Sequence, residues 1–224
     1  MTITLLVADI AGTTVRDDGI VEAAFADAME VVGVGADDPS FPAAVDVART
    51  TMGQSKIVVF NQILHDEMAA SHALAAFEMS IARRIDAGEV EPLPGAVDAL
   101  RRVRELGCQI ALTTGFGDET RELLVDHLGW RDLVDLSISP STHLRGRPAP
   151  DMILAAVMTL GIDSVRHVAT VGDTVSDLES GWNSGASIVA GVLTGAHDRA
   201  QLEAAPHTHL LDSIVDLPPL LATA

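Results

Sequence analysis

Three aspartates and one lysine are the residues of this chain best placed to do chemistry. Asp9 ends an apolar run, Leu5-Leu6-Val7-Ala8, and leads into the turn Ile10-Ala11-Gly12-Thr13-Thr14. Asp173 and Asp177 stand four apart in Gly172-Asp173-Thr174-Val175-Ser176-Asp177, directly after a second apolar run, Val168-Ala169-Thr170-Val171. In open α/β sheets the carboxyl tip of a strand is where ligands bind. Carboxylates gathered at neighbouring tips repel one another unless a cation joins them. All-oxygen donors of this kind suit magnesium, a hard octahedral cation that keeps some of its waters. The plainer reading of Asp173 and Asp177 is a pair of acids favouring a helix N-terminus. Lys56 is the only lysine among 14 basic residues. Arginine stays protonated, whereas a desolvated lysine can lose its proton and act as an amine. The plainer reading of Lys56 is a solvated side chain in an arginine-biased protein.

The Asp9 segment resembles the first motif of the haloacid dehalogenase superfamily, Asp-x-Asp-Gly-Thr, with Ala11 in place of the second acid. The resemblance implies that Asp9 is a nucleophile attacking phosphorus, and that the usual acid for proton transfer is missing. The superfamily branch with Ala at that position is the phosphonoacetaldehyde hydrolase (phosphonatase) branch. Met52-Gly53-Gln54-Ser55-Lys56-Ile57 is similar to its Met-Gly-x-x-Lys-Ile segment, whose lysine forms a Schiff base with an aldehyde.

The resemblance extends along essentially the whole chain. It implies that Thr113, closing Ile110-Ala111-Leu112-Thr113, is the hydroxyl donor to phosphate, with Thr114 and Gly115 offering backbone N–H groups at a helix opening. Gly146-Arg147-Pro148-Ala149-Pro150 resembles the stretch carrying the cation that faces the phosphoryl group, which implies Arg147 in that role. Its guanidinium could hold two oxygens in one fork. The metal ligands expected are Asp9, Asp173 and the Ala11 carbonyl. Asp177 is expected behind them, holding a metal-bound water or Thr174. Two departures stand out: Phe116 lies where the branch has a hydroxylated aromatic, and Val59 lies where it has a relay histidine. The tail after Gly195 is also shorter than in that branch.

The function expected is magnesium-dependent cleavage of a P–C bond, with phosphonoacetaldehyde as the leading substrate. Two alternatives stay open: a phosphomonoesterase that uses Lys56 only as a clamp, and a non-catalytic phosphate-binding regulatory protein.

Apolar runs alternate with helical patterns, the signature of an α/β fold with a Rossmann-like parallel sheet. Strands are expected at 3–8, 109–113, 136–138, 167–171 and 187–192, with a short edge at 209–211. Helices are expected at 96–106, 118–128, 151–160 and 175–184. Gly107, Gly129 and Gly161 stand where left-handed helix ends belong. Residues 18–91 break the alternation, with helical patterns at 21–32, 41–49, 54–65 and 71–87 and no strand. They are expected to form a helical cap domain inserted into a core of residues 1–17 and 92–224, with hinges at Arg16–Gly19 and Val90–Gly95.

At 224 residues, 48% apolar, the chain can bury a sizeable core. A net charge of −18 argues against nucleic-acid and anionic membrane partners. The lone Cys108 excludes an internal disulfide framework. With no run long enough to span a bilayer and no signal-like start, a cytoplasmic location is expected. The partner expected is a small phosphorylated or phosphonate substrate, and a homodimer stays open.

Overall fold

Parallel strands are buried on both faces, so they need continuous apolar runs rather than alternation. The computed structural model, which describes residues 2–223, shows such runs in a six-stranded sheet whose neighbouring strands are all parallel. The elements in chain order are β1 (Leu5–Asp9), α1 (Ile20–Val31), α2 (Phe41–Thr50), α3 (Lys56–Leu64), α4 (Glu67–Asp86), α5 (Ala96–Glu105), β2 (Gln109–Thr113), α6 (Asp118–His127), β3 (Leu136–Ile138), α7 (Asp151–Thr159), β4 (Val168–Gly172), α8 (Val175–Ser184), β5 (Ile188–Val192), α9 (Arg199–Ala204), β6 (His209–Leu211) and α10 (Leu217–Ala222). The spatial order is β3-β2-β1-β4-β5-β6, which places the reversal of strand order between β1 and β4.

Side chains of β1 alternate between the two helical layers. Leu5 and Val7 pack with Met152, Ile153 and Ala156 of α7, while Leu6 and Ala8 join Leu100 and Val103 of α5. The fold class expected from the sequence is the one observed. Gly107, Gly129 and Gly161 have φ of 85°, 65° and 67°, as helix ends require. The tail holds two short helices that sequence patterning did not separate, α9 and α10. In α10 the prolines obscured the helix, yet proline is tolerated in a first turn because its N–H would be unpaired anyway.

Helices α1–α4 form a block between β1 and α5 with no strand among them. Its centre is the packing of α1 on α4, which small residues allow: Ala24 and Ala28 on one helix, Ala70 and Ala73 on the other, all fully buried. The two connections to the sheet run side by side. Val15 and Pro92 form an antiparallel bridge, Arg16 N–H donates to Glu91 O at 2.9 Å, and Leu93 N–H donates to Thr14 O at 3.0 Å. Among the described residues no helix is long and apolar enough to cross a membrane.

Candidate active site

Register brings the site together. Asp9 is level with Thr113 of β2, and Ala8 with Val171 of β4, so Asp9, Thr113 and Gly172-Asp173 share one end of the sheet. That end lies at the reversal of strand order, where a crevice opens in doubly wound sheets. Asp9 is the last residue of β1 rather than the first beyond it. Asp173 precedes α8, and Asp177 sits in the first turn of that helix. The Asp177 Oδ2 accepts from Thr174 N–H at 3.1 Å and from Thr174 Oγ1 at 2.5 Å, in a reciprocal capping box. The expected Asp177–Thr174 contact is therefore present, as part of a helix cap.

Oxygens of Asp9, Asp173 and Asp177 lie within 4.8 Å of one another, and all three residues are buried. Burial pushes the Asp9 carboxyl well above the ordinary range; Arg147 opposes this, and Asp177 and Asp173 add to it. Asp173 is pushed up to about 7, chiefly by burial and then by Asp177. The Ala196 N–H, 2.7 Å from Asp173 Oδ2, and the Thr13 hydroxyl, 2.9 Å from Oδ1, partly offset that rise. Three buried carboxylates so close, with two held toward their neutral forms, fit a hard cation. The Ala11 backbone bridges Val15 in the same turn.

Arg147 occupies the middle of the cluster. Its Nη1 donates to Asp9 Oδ1 at 2.5 Å and also to Asp177 Oδ1. Burial lowers its pKa, but the Asp177 and Asp9 carboxylates more than reverse that, so the guanidinium stays charged. Among the described residues its Nε is buried without a hydrogen-bond partner. Beneath it lies a small cavity of about 10 Å³ lined in part by Thr113, Thr170, Asp177 and Ser180. The resemblance implies that Arg147 forks the phosphoryl group; in the structure one terminal nitrogen serves two carboxylates.

Thr114 departs from expectation. Thr114 N–H donates to Ile138 O at 3.2 Å, and the Thr114 hydroxyl accepts from Phe116 N–H at 3.2 Å, so Thr114 shapes the loop. The helix opens only at Asp118. Gly115 lies against the helical block: a Cβ there would stand 2.5 Å from the Gln54 carbonyl oxygen.

That close approach explains the seat of Lys56. The segment Gly53-Gln54-Ser55 is pressed onto three core loops. A Cβ on Gly53, whose φ is 83°, would meet Thr174 Oγ1 at 2.5 Å, and one on Gly146 would meet Ser55 Cβ at 2.9 Å. Lys56, the first residue of α3, is only 8% exposed. Its Nζ lies 5.7 Å from the centre of the Phe77 ring. Four of the five phenylalanines form a file here: Phe25, Phe60, Phe77 and Phe116, with successive ring centres 5.7, 6.1 and 6.0 Å apart. Val59 and Met52 line an apolar cavity of about 10 Å³ with the lysine. Burial, and then the Arg147 charge, lower the Lys56 pKa to about 8, against smaller opposing effects of Asp17, Asp9 and Glu78.

Several site residues escaped the sequence reading. Thr13 lay inside the quoted turn, but nothing in its spacing tied it to Asp173. His197 is buried; its N–H donates to Asp173 O at 3.3 Å, and its Nδ1 accepts from Val175 N–H at 2.9 Å. Asp17 reaches the Lys56 environment from the first connection, its Oδ1 accepting from Val21 N–H at 3.1 Å. Only folding brings these groups in.

The chain belongs to the haloacid dehalogenase-like hydrolases: residues 3–185 match that family. It is an enzyme of that superfamily. Among curated relatives, the phosphonoacetaldehyde hydrolase of Parabacteroides distasonis is 36% identical over 110 residues, 48% of this chain and 40% of that one. The phosphonoacetaldehyde hydrolase of Bordetella pertussis is 30% identical over 156 residues, 59% of this chain and 56% of that one. The chain thus spans about half the length of the curated relatives it matches. Among solved structures, a phosphonoacetaldehyde hydrolase-like protein from Oleispira antarctica superposes with a TM-score of 0.80 at 18% identity, covering 100% of this chain and 92% of that one. A hydrolase from Pseudomonas syringae gives 0.83 at 19% identity, covering 98% of each chain. At these identities the two structures speak for the fold.

Proposed function

We propose that this chain is a magnesium-dependent phosphonatase-like hydrolase that cleaves the P–C bond of phosphonoacetaldehyde or a related phosphonate. The observation that carries the reading is Lys56, a buried amine whose Nζ lies 5.7 Å from the centre of the Phe77 ring; burial and the Arg147 charge lower its pKa to about 8. Residues 18–91 act as the cap and residues 1–17 and 92–224 as the core, with the paired connections near Arg16–Gly19 and Val90–Gly95 as hinges. Asp9, Asp173 and the Ala11 carbonyl would hold magnesium, which would supply charge neutralisation at the phosphoryl oxygens. Asp177 holds Thr174 and Arg147 behind these ligands.

The neutral Lys56 amine adds to the aldehyde carbon, the carbinolamine hydroxyl takes a proton from solvent, and its loss as water leaves an iminium. Asp9 then attacks phosphorus. The P–C bond breaks, and its electron pair moves into the iminium to give an enamine. Protonation of the enamine and addition of water release acetaldehyde and restore the amine. A second water hydrolyses the aspartyl-phosphate. Arg147 and the Thr113 hydroxyl steady the developing charge.

A second reading, hydrolysis of a small phosphate ester, draws on Val59. Its apolar side chain beside Lys56 cannot relay protons as a histidine would. Borohydride separates the two. With phosphonoacetaldehyde it should inactivate the wild type and leave a mass adduct on the peptide holding Lys56. Lys56→Arg should abolish P–C cleavage, because arginine keeps the charge but forms no imine. An enzyme untouched by borohydride that still hydrolyses phosphate esters would establish the second reading.

A further inference from the structure

Glu78 lies midway along α4, on the helical block, yet its carboxylate is spent on the core. Its Oε1 accepts from Gly117 N–H at 2.8 Å, and its Oε2 accepts from the Thr120 hydroxyl. Gly117 is the residue before α6 and has no side chain to cap that helix. The first N–H groups of a helix lack internal partners and carry the positive end of its dipole. A carboxylate from 39 positions upstream answers both needs. A Cβ on Gly117 would come within 3.3 Å of Glu78 Oε1, so a bare position there leaves room for it.

What Glu78 holds matters as much as how it holds it. The preceding residue, Phe77, is the ring beside Lys56 Nζ and lies 6.0 Å, centre to centre, from Phe116. Phe116 and Gly117 are consecutive on the loop that leaves β2 beyond Thr113. One turn of α4 therefore meets the lysine through Phe77 and grips the core through Glu78. The glycine seats at Gly115 and Gly146 meet the same block at Gln54 and Ser55 through close backbone and Cβ approach. Glu78 gives the block a directional tie to this loop.

We propose that Glu78 is a positioning residue that fastens the helical block to the 114–120 stretch of the core and so keeps Lys56 enclosed. Its consequence for catalysis rests on the reading of Lys56 above; the tie itself does not.

Lys56 carries the only side-chain amine, so its acylation by an N-hydroxysuccinimide acetate reports the enclosure directly. The chain's terminal amine serves as internal reference in peptide mapping, and hydrogen exchange at Gly117 reports the bond. Glu78→Ala removes both bonds. It should raise Lys56 acylation at least fivefold and strip protection from the Gly117 amide. Glu78→Gln, which keeps an acceptor for Gly117, should stay within twofold of wild type. Thr120→Val removes one bond only and should fall between; it also stands in should Glu78→Ala fail to fold. A folded Glu78→Ala, or in its stead Thr120→Val, that acylates at the wild-type rate overturns the tie. If the wild type resists borohydride while Glu78→Ala still opens, the Lys56 chemistry fails and the tie stands.

Discussion

Arg147 Nη1 donates to Asp9 Oδ1 at 2.5 Å across 138 positions of the chain, and the same nitrogen reaches Asp177. The bridge therefore runs through one nitrogen of the guanidinium rather than through a bidentate fork. Arg147→Lys should keep it and reduce kcat by only about tenfold. Arg147→Ala leaves two buried carboxylates facing each other and should cost on the order of 100-fold or more in kcat. Equal losses in the two variants, measured by phosphate release, would show that guanidinium geometry matters beyond its charge.

Removal of the cation should be as damaging as removal of the arginine. Excess chelator should abolish turnover, and added magnesium should restore it. In Asp173→Asn, Thr13 and the Ala196 N–H can still bond the side chain, but the ligand charge is gone. The magnesium concentration for half-maximal activity should rise at least about tenfold. Full wild-type activity in chelator would contradict the metal assignment.

Lys56 should cost stability at neutral pH. Its pKa of about 8 in the fold lies below the ordinary 10.5. Between those values the unfolded chain holds a proton that the folded chain has released, so this group makes stability rise with pH across that window. Below pH 8 the penalty of burying the ammonium is complete. Lys56→Met should stabilise the protein at pH 7 by on the order of 1–3 kcal/mol. The difference from wild type should shrink as pH climbs toward 10.5. Urea unfolding of both proteins at several pH values tests this, and a variant no more stable at pH 7 would refute it.

Gly115→Ala puts a methyl against the backbone carbonyl of Gln54. Because backbone cannot swing aside as a long side chain can, the segment before Lys56 must lift. We expect a loss of about 1–3 kcal/mol and a fall in borohydride trapping larger than the stability loss explains. Trapping at the wild-type rate would show that the lysine is not held by this close approach.

Much of this protein was legible in one dimension. Apolar runs at 5–8, 110–112 and 168–171, alternating with helical patterns, read as parallel strands buried on both faces, and Asp9 and Asp173 close two of these runs. That was enough to foresee two acids at one sheet end. The block of four helices was equally plain, because its apolar positions recur at helical spacing without a strand between them. The single lysine stood out because arginine cannot give up its proton.

What patterning left undecided was which partners each group meets. Thr114 was read as an anion donor, yet its N–H is spent on Ile138, a bond set by the β2–β3 pairing. The burial of Lys56, its place beside Phe77, and the tie from Glu78 to Gly117 depend on how the helical block sits on the core. Local propensity carries no information about that docking. Residue types and spacing alone determined the fold class, the strands along the chain and the identity of the acids, since these follow from periodicity and burial along the chain. Only the tertiary structure decided the charge state of Lys56, the bridge made by one nitrogen of Arg147 and the capture of α6 by Glu78, because each arises from contacts between segments far apart in sequence, where desolvation and neighbouring charge set the chemistry.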